Sequence, residues 1–154
     1  MVKGPLILYL QLPDKIPTKK PKSMTIEWNE KFSVSNTAID AEHKSLFDAL
    51  NSFYQGVQSG ASNESLAALL TKLADYAATH FRSEEIFMKK IGFPELDRHK
   101  QEHQAFAEKI GGFLESYNSG KAPASFEVTH FIMDWIVNHI KREDMKYAKF
   151  SQGH

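Results

Sequence analysis

From Trp28 onward, apolar side chains recur every three or four residues in four long stretches, and nowhere do they alternate with polar ones as in a strand. The first stretch runs from about Ala41 to Ser59, with Leu46, Phe47, Leu50, Phe53, Tyr54 and Val57 on one face, Asp40 placed as N-cap and Gly60 as its end. The second runs from about Glu64 to Lys90 behind Ser62 or Asn63. Its stripe is Leu66, Leu69, Leu70, Leu73, Tyr76, Ala77, Phe81, Phe87 and Met88, and Gly92 and Pro94 close it. The third, about Glu95 to Asn118, is more polar, and Gly111-Gly112 inside it marks either a close approach or a weak point. After the turn at Ser119-Gly120, the fourth opens behind Pro123 and runs from about Ser125 to Ala148, carrying Val128, Phe131, Ile132, Trp135, Ile136 and Ile140. Helices this long on connections this short must lie antiparallel. The fold class is therefore all-α: an up-down-up-down antiparallel four-helix bundle with a non-helical N-terminal arm.

Composition narrows the picture. At 154 residues the chain is one domain, long enough to bury most of its apolar surface. Lys plus Arg and Asp plus Glu both number 19, so no one-signed field steers the chain onto nucleic acid or an anionic membrane, and neither is expected as a partner. No apolar run approaches the roughly 20 residues of a membrane span. With no cysteine there is no disulfide, no thiolate metal site and no cysteine nucleophile, and cysteine usage does not fix the redox compartment. A cytoplasmic monomer is the expectation. Residues 1–23 stand apart, holding four of the six prolines, five lysines and one short apolar run, LILYL. They are expected to be an extension to a bundle spanning 24–154, with Met24 as a natural start; a weak export signal or a docking tail is the alternative.

The chemistry lies in the histidines. Five of the seven fall in the four helices in a pattern: His43 alone, His80 with Glu84, His99 with His103, and His139 with Glu143 or Asp144 behind it. Positions four apart differ by only about 40° around a helix, so each pair can grip one object. Singly, each has an ordinary explanation: a lone helical histidine is more often a satisfied polar residue than a ligand, and HKQEH (99–103) could lie on a solvated face. Recurrence on every helix beside its apolar stripe makes coincidence the poorer account. Five imidazoles and two carboxylates exceed the needs of one tetrahedral ion, which argues for two metals. His130, nine residues before His139, points about half a turn away and is excluded. Spacing on an ideal helix favours Glu143, four residues after His139, over Asp144, five after it.

In this order, a lone His, then H-x-x-x-E, H-x-x-x-H and H-x-x-x-x-D resemble the hemerythrin family, in particular its bacterial single-domain members, as do IEW, HFRSEE and WIVNHIKRED. The resemblance covers about residues 24 to 150. That family is itself a standard example of the up-down-up-down bundle, so the two expectations coincide rather than add. The resemblance implies two iron ions with an oxo or hydroxo bridge: His99, His103 and His139 on one, His43 and His80 on the other, Glu84 and Asp144 between them. It selects Asp144 over Glu143. It further implies dioxygen as ligand, an apolar pocket formed by Leu46, Phe81, Trp135, Ile136 and Ile140, and storage of oxygen or its delivery to an oxygen-consuming enzyme. The chain itself is expected not to be an enzyme. Rival readings are an oxygen or redox sensor, a di-iron enzyme handling peroxide, nitric oxide or iron, and a metal-free helical module whose histidines would diverge in space.

Overall fold

The computed structural model describes residues 25–153, and among them the helical expectation holds: a short 3-10 turn at Glu30–Phe32, α1 Thr37–Gln58, α2 Asn63–Ile91, α3 Leu96–Asn118, α4 Ser125–Asn138, a π turn His139–Asp144 and α5 Met145–Gln152. The expectations for residues 1–23 fall outside the described residues. The last three elements run on as one rod, so the chain makes four antiparallel columns. Among the described residues no helix is long and apolar enough to cross a membrane.

Local chemistry sets the ends. Ser62 accepts from the backbone N–H of Ser65 at 3.1 Å and starts α2, and Gly92, at φ +69° in the left-handed region, ends it. The start of α1 corrects the sequence reading. Asn36, not Asp40, is the cap, its Oδ1 accepting from Ile39 N–H at 3.2 Å. Asp40 lies one turn inside and instead takes Ser33 Oγ at 2.6 Å and Val34 N–H at 2.9 Å, tying the entering chain to the helix. The apolar count began too late, because Ile39 also faces inward, into a second cluster. Three further expectations change. Tyr76, assigned to the stripe, is 42% exposed, and a Cβ on Gly111 or Gly112 would meet nothing within 4 Å, so no helix approaches there. The fourth rod is not a plain α-helix, since the π turn interrupts it.

The core is divided in two. Leu50, Phe53, Leu70, Leu73, Val128 and Ile132 are at 0% exposure in the larger cluster, and burying each such side chain stabilises the bundle by about 1.5–3 kcal/mol. A smaller cluster of Val34, Ile39, Met88, Phe93, Tyr147 and Ala148 closes the other end. Along every column the polar residues fall between the two: His43 between Ile39 and Leu46, Glu84 between Phe81 and Met88, His139 and Asp144 between Ile136 and Tyr147.

Candidate metal centre

All seven residues singled out from the sequence meet in that gap, each at 5% exposure or less. Their donor atoms form two groups, each within 4.8 Å internally: Glu84, His99, His103, His139 and Asp144, and His43, His80, Glu84 and Asp144. The two carboxylates belong to both. Glu84 Oε2 lies 3.1 Å from His103 Nε2 and 3.3 Å from His80 Nε2, while its Oε1 lies 3.5 Å from His43 Nε2. Asp144 mirrors it, with Oδ1 at 3.1 Å from His139 Nε2 and 3.2 Å from His99 Nε2, and Oδ2 at 3.2 Å from His43 Nε2. The histidines therefore converge, contrary to the metal-free module.

The π turn explains why Asp144 and not Glu143 arrives here. Backbone bonds in such a turn run from i to i+5, so the residue five after His139, rather than four, is stacked over it. Glu143 faces outward to Arg98 and Lys146. His130 is outside as expected, 68% exposed beside Asp134.

The donor set fits cations. Five buried atoms, His43 Nδ1 and Nε2, Glu84 Oε2 and both Asp144 oxygens, have no hydrogen-bond partner, although an unpartnered buried polar atom costs about 1–3 kcal/mol. The imidazoles agree. His139 Nε2 is 3.0 Å from His99 Nε2 and 3.2 Å from His103 Nε2. On His103 and His139 the opposite nitrogen, Nδ1, faces a glutamate, which leaves lone pairs on the converging Nε2 atoms. Lone pairs that close repel unless a cation sits among them to bind them. With no cation, protons take its place: burial opposes charge on His80, but Glu84 and Glu42 outweigh it and push its pKa up to about 10. Burial likewise opposes charge on Glu84, yet His80, His103 and His43 hold it well below the usual carboxylate range.

Beside the donors lies a small cavity of about 10 Å³, roughly the room one water-sized molecule needs. Leu46, Phe81, Trp135, Ile136 and Ile140 all line it, with Ala77 and Phe106. Phe81 stacks on His103 at 3.9 Å between ring centres, and Trp135 on His139 at 4.3 Å, so the apolar wall also fixes two imidazole planes.

Comparison with known proteins agrees with this geometry. Residues 34–150 match the family model described as the hemerythrin HHE cation binding domain. The chain belongs to the hemerythrin family. Hemerythrin relatives include the bacteriohemerythrin of Methylococcus capsulatus, 33% identical over 71% of this chain and 82% of its own length. Myohemerythrin-1 of Phascolopsis gouldii is 38% identical over 78% of this chain and 89% of its own. A crystal structure of wild-type hemerythrin superposes with a TM-score of 0.75 at 30% identity, covering 80% of this chain and 95% of that one.

Around the hemerythrin donor set stand residues that sequence reasoning missed. Glu42 faces His80 Nδ1 at 3.0 Å, Glu85 faces His103 Nδ1 at 3.0 Å, and Glu102 faces His139 Nδ1 at 3.1 Å. Each orients an imidazole on the next column and holds the proton on Nδ1, leaving Nε2 free to bind. Tyr147 Oη donates to Glu84 Oε1 at 2.7 Å, and burial beside that carboxylate pushes the phenol's pKa up, so it stays protonated. Trp28 covers His43, ring centres 6.2 Å apart. A signal for the three glutamates exists: each adjoins a donor of its own helix, Glu42 next to His43, Glu85 next to Glu84 and Glu102 next to His103.

Proposed function

We propose that this chain binds dioxygen reversibly at a non-haem di-iron centre, storing it or passing it to an oxygen-consuming enzyme. In this reading His99, His103 and His139 hold one iron, His43 and His80 the other, and Glu84 and Asp144 are shared. Family membership supports the reading, and one observation carries it: two buried donor groups with both carboxylates in common, abutting an apolar cavity. When bound, an iron pair would supply the two electrons by which dioxygen is held and would take those electrons back on its release.

The chain's own residues account for reversibility. Leu46, Phe81, Trp135, Ile136 and Ile140 keep bulk water from the donors. Glu42, Glu85 and Glu102 keep His80, His103 and His139 aimed inward, and Tyr147 fixes Glu84. Five neutral imidazoles against two carboxylates favour the ferrous state, whereas carboxylate-rich di-iron sites favour oxidation chemistry. That balance supports a binding protein over an enzyme.

The test is iron content per chain together with the visible spectrum, recorded anaerobically after reduction, in air, and after argon purging. Two irons per chain and an oxygen-dependent charge-transfer band that fades under argon are the expected result. Two irons with a band lost after one cycle would transfer the site to an oxidase or a sensor. Failure to bind iron would overturn the assignment.

A further inference from the structure

Arg98 lies on the surface of α3, one residue before His99, with 44% of its side chain exposed. Its guanidinium nevertheless touches three carboxylates from two columns. Nε and Nη2 donate to Glu95 Oε2 at 3.2 and 2.6 Å, Nη1 to Glu102 Oε1 at 2.6 Å, and Nη2 to Glu143 Oε2 at 2.5 Å. Lys146 Nζ closes the same network, 2.9 Å from Glu143 and 3.7 Å from Glu95.

Exposed ion pairs contribute little as a rule, so what distinguishes Arg98 is where its partners lead. Two of them lead inward. Glu102 gives its other oxygen, Oε2, to His139 Nδ1 at 3.1 Å. Glu143 immediately precedes Asp144 in the π turn, and both Asp144 oxygens point at imidazoles. A single planar fork thus holds the first residue of the turn through Glu102 and the last through Glu143, a geometry that a lysine's point charge cannot reproduce. Glu42 and Glu85, which brace His80 and His103 in the same way, are ion-paired among the described residues only with those histidines. The one braced histidine that sits on irregular backbone is also the one whose glutamate is clamped.

We propose that Arg98 is a positioning residue for the metal centre: from outside, it pins the π turn in the register that sets His139 and Asp144 among the shared donors. A π turn is uncommon backbone, and before metal arrives it carries a buried carboxylate next to another buried carboxylate. Something must hold it. The Arg98 network does so without touching a donor atom. Because His139 belongs only to the five-donor group, loosening the turn costs that position two donors' alignment and the four-donor position only one.

The inference rests on the two-metal reading above, and the test separates them. Full-length chain is loaded with cobalt(II), whose visible absorption reports its ligands, and each ion's release to excess EDTA is timed. The wild-type chain is compared with Arg98→Gln, Arg98→Lys and Glu95→Gln. In Arg98→Gln one of the two cobalt ions is expected to leave about tenfold faster with a shifted absorption band, the lower end of what loss of an outer partner does to a metal site. Arg98→Lys should fall between Arg98→Gln and wild type, and Glu95→Gln, whose carboxylate leads nowhere inward, should match wild type. Unchanged release in Arg98→Gln would overturn the proposal. So would an equal effect from Glu95→Gln, which would mean that any break in the surface network suffices whether or not the carboxylate leads inward, or equal acceleration of both ions with a lowered melting temperature, which would mean general loosening. If the wild-type chain takes up no cobalt, the donor reading itself fails; if it takes up two ions per chain and Arg98→Gln behaves as wild type, only the role of Arg98 falls.

Discussion

In α2 a carboxylate follows its histidine by four residues, and in the last column it follows by five, yet Glu84 and Asp144 finish as counterparts, each fully buried and each shared by both donor groups. Regular α-helix serves the first, and a π turn serves the second. The comparison teaches that register belongs to the backbone and not to the count of residues. One extra residue in the ring of backbone bonds moves position five onto the face that position four would otherwise occupy.

The largest effect follows directly. Asp144→Ala should abolish uptake of both metals, because the lost oxygens belong to both groups, whereas Glu143→Ala should leave two metals bound per chain. Metal content after gel filtration checks it. The opposite outcome would mean that the regular-helix projection was right and the π turn incidental.

That contrast also marks how far the sequence could be read. The four columns were legible because apolar residues recur with helical period over many turns, as Leu46 to Phe53 and Leu66 to Ala77 do. The donors were legible as a set, since histidines and acids at steps of four recur beside those stripes. Choosing Asp144 over Glu143 was not legible from spacing: a projection at fixed angle presupposes an α-helix, and no residue in HIKRED announces a π turn. Only the family resemblance picked it. Glu42, Glu85 and Glu102 were missed for a different reason. Each braces a histidine on another helix, and pairing between columns depends on their rotation, which one helix's periodicity does not contain. Asn36 was missed because the apolar stripe was traced from Leu46 and not back to Ile39.

Tyr147 gives the next test, since it braces Glu84 and no hydroxyl is bonded to Asp144, both of whose carboxylate oxygens lack a hydrogen-bond partner. Tyr147→Phe removes the hydroxyl and keeps the ring in its cluster. The metal-free bundle should lose about 1–3 kcal/mol, the cost of leaving a buried acceptor without its donor. At about 2–4 °C per kcal/mol, thermal denaturation resolves that change. No change in melting temperature would show that the two carboxylates are held alike.

A smaller and opposite pair of trends is expected with pH. His80 has its pKa raised to about 10 from 6.5, so its contribution to the metal-free bundle is complete below about pH 6.5 and fades as pH rises toward 10. Glu84 is shifted down from 4.5, so its contribution is complete above about pH 4.5 and fades as the medium becomes more acid. The melting temperature of the metal-free protein should therefore be greatest between about 4.5 and 6.5 and fall at higher pH. Metal affinity should rise over that same alkaline range, because each ion displaces protons from the imidazoles. Parallel slopes for the two quantities would contradict a proton-for-metal exchange.

The mildest effect is expected from making the two routes the same. Deleting Arg142, an exposed residue of the turn, and exchanging Asp144→Glu rebuilds on the last column the His-x-x-x-Glu step that α2 already uses. The deletion removes the residue that the π turn adds, so α5 keeps its register and Tyr147 its place against Glu84. Glutamate supplies the reach that a regular helix requires, as Glu84 shows from α2. If register is all the turn contributes, two metals still bind, with affinity within about tenfold of the original, a difference of about 1.4 kcal/mol or less. Loss of both metals in a chain that remains helical would mean that the π backbone does more than carry Asp144 around the helix. The asymmetry between the two carboxylates would then be a property of the centre rather than of the route by which each side chain reaches it.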